Sequence, residues 1–222
     1  MLLKNGDQAL LLDTGYKRHF RKIKADLVKQ GMTLSTIVVS HFHPDHIGGV
    51  AESTGVNIYG SLLAKNTLMK FFPTFDHLLP NNVVVDKKEF HFGKHKFLLI
   101  RNMGHSIDGL LVLIDDKFLF VADDLIYTED LESVLPFCAD HEIENHINSL
   151  KRIERFSQGK VIIPSHGLPI DDSVFLNKDI ENRCRYLEFI LDNPTASFET
   201  FTQSTGITFV GEESHSYNIN KR

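Results

Sequence analysis

The segment His41-Phe42-His43-Pro44-Asp45-His46 constrains this chain more than any other, because four side chains able to ligate a metal stand within six residues, directly after the β-branched run Thr36-Ile37-Val38-Val39-Ser40. A run of that kind reads as a short buried strand. Residues i and i+2 of an extended segment point the same way, so His41 and His43 can converge on one ion. Pro44 turns the chain, letting Asp45 and His46 face a different point nearby, and Gly48-Gly49 permits close backbone approach before the chain moves away. A His-x-x-x-His helical site is excluded on this reading, because a helix interior would not tolerate Pro44.

Composition narrows the chemistry. The 222 residues hold twelve histidines and only two cysteines, Cys138 and Cys184, so any bound metal must be held by imidazole and carboxylate. Two cysteines cannot build a disulfide framework, which makes a reducing cytosol the simpler setting and a cytoplasmic protein the expectation. With 42% hydrophobic and 24% charged residues the chain reads as an ordinary globular protein, and no apolar run is long enough to span a membrane. A net charge of −5 gives no overall basic excess for a nucleic acid or an anionic membrane.

Hydrophobic periodicity outlines the elements. Asn5-Gly6-Asp7 reads as a turn between a first strand over residues 1–4, too short to pair well, and an apolar strand over residues 8–12; either the chain begins at a sheet edge or an upstream strand precedes it. A signal peptide is not read there. Phe20, Ile23, Leu27 and Val28 mark an amphipathic helix over residues 16–30 stopped by Gly31. Further strands are expected over residues 56–59, 83–85, 89–92, 96–100, 110–114, 118–122 and 160–164, with helices over 64–72, 143–156 and 177–191. Residues 198–204 are expected to be helical and 206–210 a strand. The domain reading is a hydrolase domain over residues 1–192 followed by a C-terminal appendage over 193–222. Strands in runs with helices between and after them suggest two sheets covered by helices, an α+β fold.

Three more ligand candidates stand just past apolar strands: His105, Asp123 and His166. Loops at one edge of a sheet are where such a fold assembles a site from distant sequence. The total of five histidines and two carboxylates exceeds what one ion uses, and fits two ions sharing one carboxylate.

These residues, with Gly104-His105-Ser106, Ala122-Asp123, Ser165-His166-Gly167 and the upstream Leu12-Asp13-Thr14-Gly15, resemble the five ordered motifs of the metallo-β-lactamase superfamily, covering Leu10 to Gly167. The resemblance implies a four-layer αββα sandwich with a binuclear site. It implies that His41, His43 and His105 hold one divalent ion, that Asp45, His46 and His166 hold the second, that Asp123 bridges them, and that Asp13 supports the ligands from behind. Zinc is the expected metal, with manganese and iron accepted by the same ligands. Ala122 and Ser165 stand where glycine is more usual. Asp124 competes with Asp123 for the bridging position, and the small-residue-plus-Asp motif favours Asp123.

The motifs also separate branches. Secreted lactamases of the superfamily commonly place cysteine in the bridging motif and lack one histidine, and redox relatives with di-iron sites carry glutamate where His43 stands. The expected branch is therefore glyoxalase II-like or lactonase-like: a hydrolase in which a metal-bridging hydroxide cleaves a small ester, thioester or lactone, with Asp45 or Asp123 passing the proton to the leaving group. The alternatives are a phosphodiesterase or nuclease of the same superfamily, and a metal-binding effector without turnover. The resemblance also brings in Tyr127 as a candidate substrate contact, set against an aromatic half-buried beyond a strand. Six basic residues against Asp26 give the first helix a local charge of +5, which reads as a solvated face rather than a nucleic-acid contact. A small-molecule substrate is the expected partner. The seven other histidines match no motif and read as ordinary, and the two cysteines as buried or idle.

Overall fold

The β-branched runs become strands and the 3.6-residue stripes become helices in the computed structural model, which describes residues 1–138 and 143–220. The first sheet has the order β1-β2-β3-β4-β5, built from β1 (Leu2–Asn5), β2 (Gln8–Leu12), β3 (Thr33–Val38), β4 (Asn57–Ser61) and β5 (Asn82–Val84). β1 pairs antiparallel with β2 along its whole length, from Leu2 opposite Leu11 to Asn5 opposite Gln8, so the strand expected to be too short to pair does pair. The turn at Gly6, with φ +58°, sets that register. The other pairings in this sheet are parallel, and parallel strands need crossovers. The second sheet has the order β10-β9-β8-β7-β6, with β6 (Lys87–Phe92), β7 (His95–Arg101), β8 (Leu110–Ile114), β9 (Phe118–Ala122) and β10 (Val161–Pro164). Two mixed sheets with helices give the α+β class expected from sequence.

The chain divides into two compact units, one of Met1–Arg101 and Asp108–Val112, the other of Asn102–Ile107 and the residues from Leu113 onward. In the first unit α1 (Lys17–Lys29) crosses from β2 to β3 and buries Phe20 and Leu27, whereas Val28 is 68% exposed and is not part of the buried stripe. Val28 follows Leu27 by about 100° of helical rotation, which carries it off the core face. Phe20 packs so closely on Gly49 that a Cβ there would lie 2.1 Å from its ring, which is why the second glycine of Gly48-Gly49 is needed. Lys17 and Arg21 on the outer face both pair with Glu52. These two partners hold the Glu52 carboxyl down to about 2. The core of this unit gathers Leu11, Ile37, Val39, Phe42, Ile58 and Leu68. The last of these lies on α3 (Ala64–Phe71), which ends before Pro73 as its sequence requires.

In the second unit α4 (Ile143–Ser157) packs on α5 (Ser173–Asp192) and on β9. α5 begins four residues earlier than its apolar pattern suggests, because Asp172 caps it by accepting from Val174 N and Phe175 N. Residues 193–220 follow in this unit as α6 (Phe198–Thr205), closed by Gly206 at φ +69°, and α7 (Ser214–Ile219). The strand expected over 206–210 is only a single bridge of Val210 to Val134, and α7 was not foreseen. His141, Lys221 and Arg222 lie outside the described residues.

Candidate metal centre

In the first unit the chain leaves β3 with Ser40 O accepting from Leu110 N at 2.8 Å and Phe42 N donating to Asp108 Oδ2 at 2.9 Å. Phe42 goes into the core, where Gly60 makes room: a Cβ on Gly60 would lie 2.7 Å from the Phe42 ring. With Phe42 directed inward, its neighbours His41 and His43 share the opposite side, and His41 Nε2 lies 3.0 Å from His43 Nδ1. Two nitrogens bound to one tetrahedral ion at about 2.0–2.1 Å each would stand about 3.3 Å apart, so this spacing suits a shared ion. His41 Nδ1 contacts Ser40 Oγ at 3.1 Å, on the ring edge opposite the Nε2 that faces His43.

Asp45 and His46 sit on a short helix, α2 (Pro44–Ile47), with His43 as its N-cap and Pro44 at its first position. His41 and His43 precede this helix, which Pro44 opens, so the cluster is not a His-x-x-x-His helical site. Proline is tolerated at the first helical position, where its missing N–H has no intrahelical partner to lose. His46 Nε2 and Asp45 Oδ2 are 3.4 Å apart, while His46 Nδ1 is held by Asp13 Oδ2 at 2.8 Å. Asp13 also accepts from Ser40 N at 2.7 Å and Ser40 Oγ at 2.6 Å, and it does so from a left-handed backbone, φ +51°. Thr14 completes the cradle by donating from N and Oγ1 to His46 O and accepting from Gly49 N. Asp13 thus fixes the direction of the His46 ring.

In the second unit Asp123 faces two imidazoles: its Oδ2 is 3.9 Å from His105 Nε2 and 3.7 Å from His166 Nε2. His105 Nδ1 contacts Phe137 O at 3.0 Å, again leaving Nε2 toward the carboxylate. Ala122, which ends β9, has φ +50°, the conformation that explains why glycine is more usual there. Asp124 is occupied elsewhere. It is buried and accepts from His105 N at 2.7 Å, Asn102 Nδ2 at 2.8 Å and Ser149 Oγ at 2.9 Å. Burial raises its carboxyl to about 6 against the opposing pull of those donors. Gly104 is what lets Asp124 come so near, since a Cβ there would coincide with Asp124 Oδ1. The sequence reading missed Asn102, Ser149 and the Phe137 carbonyl as supports; the Asn102-x-Gly104 pattern was the available signal.

Tyr127 requires a correction. It is 3% exposed, its hydroxyl donates to Asp179 Oδ2 at 2.6 Å, and the Arg183 guanidinium stacks 5.1 Å from its ring centroid. Burial pushes its phenol far above the usual range. A hydroxyl committed to a buried carboxylate serves packing, not substrate. Among the unassigned histidines, His146 contacts Cys138 Sγ at 3.4 Å and His215 sits between Tyr186 Oη and Ala196 O, both as buried hydrogen-bonded side chains.

In the family comparison, residues 1–166 match the metallo-beta-lactamase superfamily. The chain belongs to that superfamily. Among curated relatives it is 24% identical over 173 residues to an atrochrysone carboxyl ACP thioesterase of Aspergillus fumigatus, covering 77% of this chain and 51% of that protein. It is 26% identical over 160 residues to a hydroxyacylglutathione hydrolase of Haemophilus ducreyi, covering 70% of this chain and 61% of that protein. The chain therefore spans only part of the length of these two relatives. Among solved structures, a metallo-beta-lactamase from Pontibacter korlensis superposes with a TM-score of 0.68 at 21% identity, covering 83% of this chain and 85% of that one. The DIM-1 metallo-beta-lactamase gives 0.67 at 18% identity over 83% of each. The fold is thus the metallo-β-lactamase fold, the sandwich expected from sequence. Among the described residues, no helix is long and apolar enough to cross a membrane.

Proposed function

We propose that this member of the superfamily is a binuclear metal-dependent hydrolase acting on a small ester, thioester or lactone. The reading is carried by the donor chemistry within each unit: His41 and His43 stand with Asp45 and His46 in the first, and His105 and His166 stand with Asp123 in the second. Imidazole nitrogens and carboxylate oxygens are donors that zinc prefers, and manganese or iron would accept them too. Divalent ions at such a site bring water to ionisation near neutral pH and polarise a scissile carbonyl. Around them this chain's residues divide the work. Ser40, Asp13 and the Phe137 carbonyl hold the Nδ1 edges of His41, His46 and His105, so their Nε2 atoms are presented in fixed directions. Asp123, facing two imidazoles, would be the carboxylate that two ions share. Asp45, whose side chain is 29% exposed, or Asp123 would carry a proton to a leaving group. The relatives named as a thioesterase and a hydroxyacylglutathione hydrolase support thioesters within this substrate range.

Metal analysis followed by one carboxylic ester, one lactone, one thioester and one phosphodiester tests the proposal. Two ions per chain with chelator-sensitive hydrolysis of a carboxyl bond is the expected result. Full turnover after complete metal removal, or cleavage of the phosphodiester alone, would overturn it.

A further inference from the structure

α7 closes on the support of a metal ligand. Asn218 is fully buried and uses both ends of its amide: Oδ1 accepts from Cys138 N at 3.0 Å, and Nδ2 donates to Pro136 O at 2.7 Å and to Tyr186 Oη at 3.1 Å. It therefore grips the residues on both sides of Phe137. The Tyr217 ring stacks on the Phe137 ring, with centroids 4.5 Å apart and planes at 28°. Between them, Phe137 presents its carbonyl to His105 Nδ1 at 3.0 Å. Residues 135–138 belong to neither a helix nor a strand, so side chains must help fix that carbonyl. α7 is itself tied back to α5 by His215, whose Nδ1 lies 3.0 Å from Tyr186 Oη.

We propose that α7 is a positioning element for the metal site: Asn218 and Tyr217 fix the Phe137 carbonyl, which in turn keeps the proton of His105 on Nδ1 and aims Nε2 at the ion. A carbonyl can only accept, so a carbonyl held in place selects one imidazole tautomer and one ring direction. Partners behind a ligating histidine typically govern metal affinity by 10–100-fold. This assignment extends the metal reading of His105 and rests on it.

Zinc titration of metal-free protein against a chromophoric chelator, with 15N NMR of the His105 ring in the metal-free state, tests the assignment. Wild type is expected to bind two zinc ions. In Asn218→Ala one site should keep its affinity and the other weaken by about tenfold or more, with loss of the single Nδ1-protonated tautomer. Tyr217→Ala should shift both readouts in the same direction, and Tyr217→Phe, which keeps the ring, should restore them. The Tyr217 pair decides the matter if Asn218→Ala does not fold. Unchanged zinc affinities and an unchanged tautomer in folded variants would overturn the role of α7 and leave the metal reading standing. A wild type that binds no zinc would remove both.

Discussion

Asp13 Oδ2 lies 2.8 Å from His46 Nδ1 while the same carboxylate accepts from the backbone and hydroxyl of Ser40, the residue that precedes His41. One side chain in a left-handed turn thus aligns His46 and braces the approach to His41. Asp13→Ala should therefore lower zinc affinity by about 10–100-fold. Chelator competition on the purified variant checks this, and an affinity within twofold of wild type in a folded protein would show that His46 needs no such support.

Ala122 bears backbone strain that its motif ordinarily avoids with glycine. A left-handed alanine costs about 1–2 kcal/mol, and glycine returns about 0.4–1 kcal/mol of that through greater unfolded-chain entropy. Ala122→Gly is expected to stabilise the protein by roughly 0.5–1 kcal/mol. Urea unfolding measures it; a lower midpoint at equal slope would contradict the strain argument.

Asp179 sits among buried groups that depend on its charge. Its Oδ2 accepts from Arg183 Nε at 2.7 Å and from Tyr127 Oη at 2.6 Å, and Ser133 Oγ donates to Oδ1. Arg183 is 1% exposed and also donates to Val134 O and Ile126 O. Removing the carboxylate with Asp179→Ala leaves a buried guanidinium without its counter-charge, which should cost about 3–5 kcal/mol. Asp179→Ala combined with Arg183→Met should recover part of the loss, and a double variant no more stable than the single one would refute the charge explanation.

Burial pushes the Cys138 thiol up to about 12 and the Cys184 thiol up to about 11. An unfolded thiol titrates near about 8.5, so the folded protein holds these protons more tightly. The resulting stability is complete below the unfolded value and is lost as pH rises from there toward the folded values. At pH 8 neither cysteine should react appreciably with iodoacetamide in the native protein, and both should react after denaturation. Mass spectrometry of the intact chain reads the difference, and native labelling at the unfolded rate would contradict the burial.

The candidate donors stand out in the sequence because their spacing has a physical reason. His41 and His43 share a side wherever the chain is extended, and Phe42 between them is apolar enough to be taken into the core. His105, Asp123 and His166 stand out as candidates because each follows an apolar run that forms a strand. α2 was hidden because proline has opposite meanings at the first position of a helix and inside it, and only the backbone before it, extended at His43, tells which applies. α7 was hidden for another reason: its buried residues, His215 and Asn218, are polar, so no hydrophobic period announces it.

The sequence by itself determined the strand ends at which the candidate donors stand and the superfamily, because these rest on residue type and local period. Tertiary structure decided which of two adjacent aspartates faces the imidazoles, that the Tyr127 hydroxyl turns to Asp179, and that residues 214–219 brace the carbonyl behind His105. Those outcomes depend on hydrogen bonds between residues such as Asp124 and Ser149 or Asn218 and Cys138, far apart in the chain. A hydrogen bond is satisfied by position in space, which no local pattern of residue types specifies.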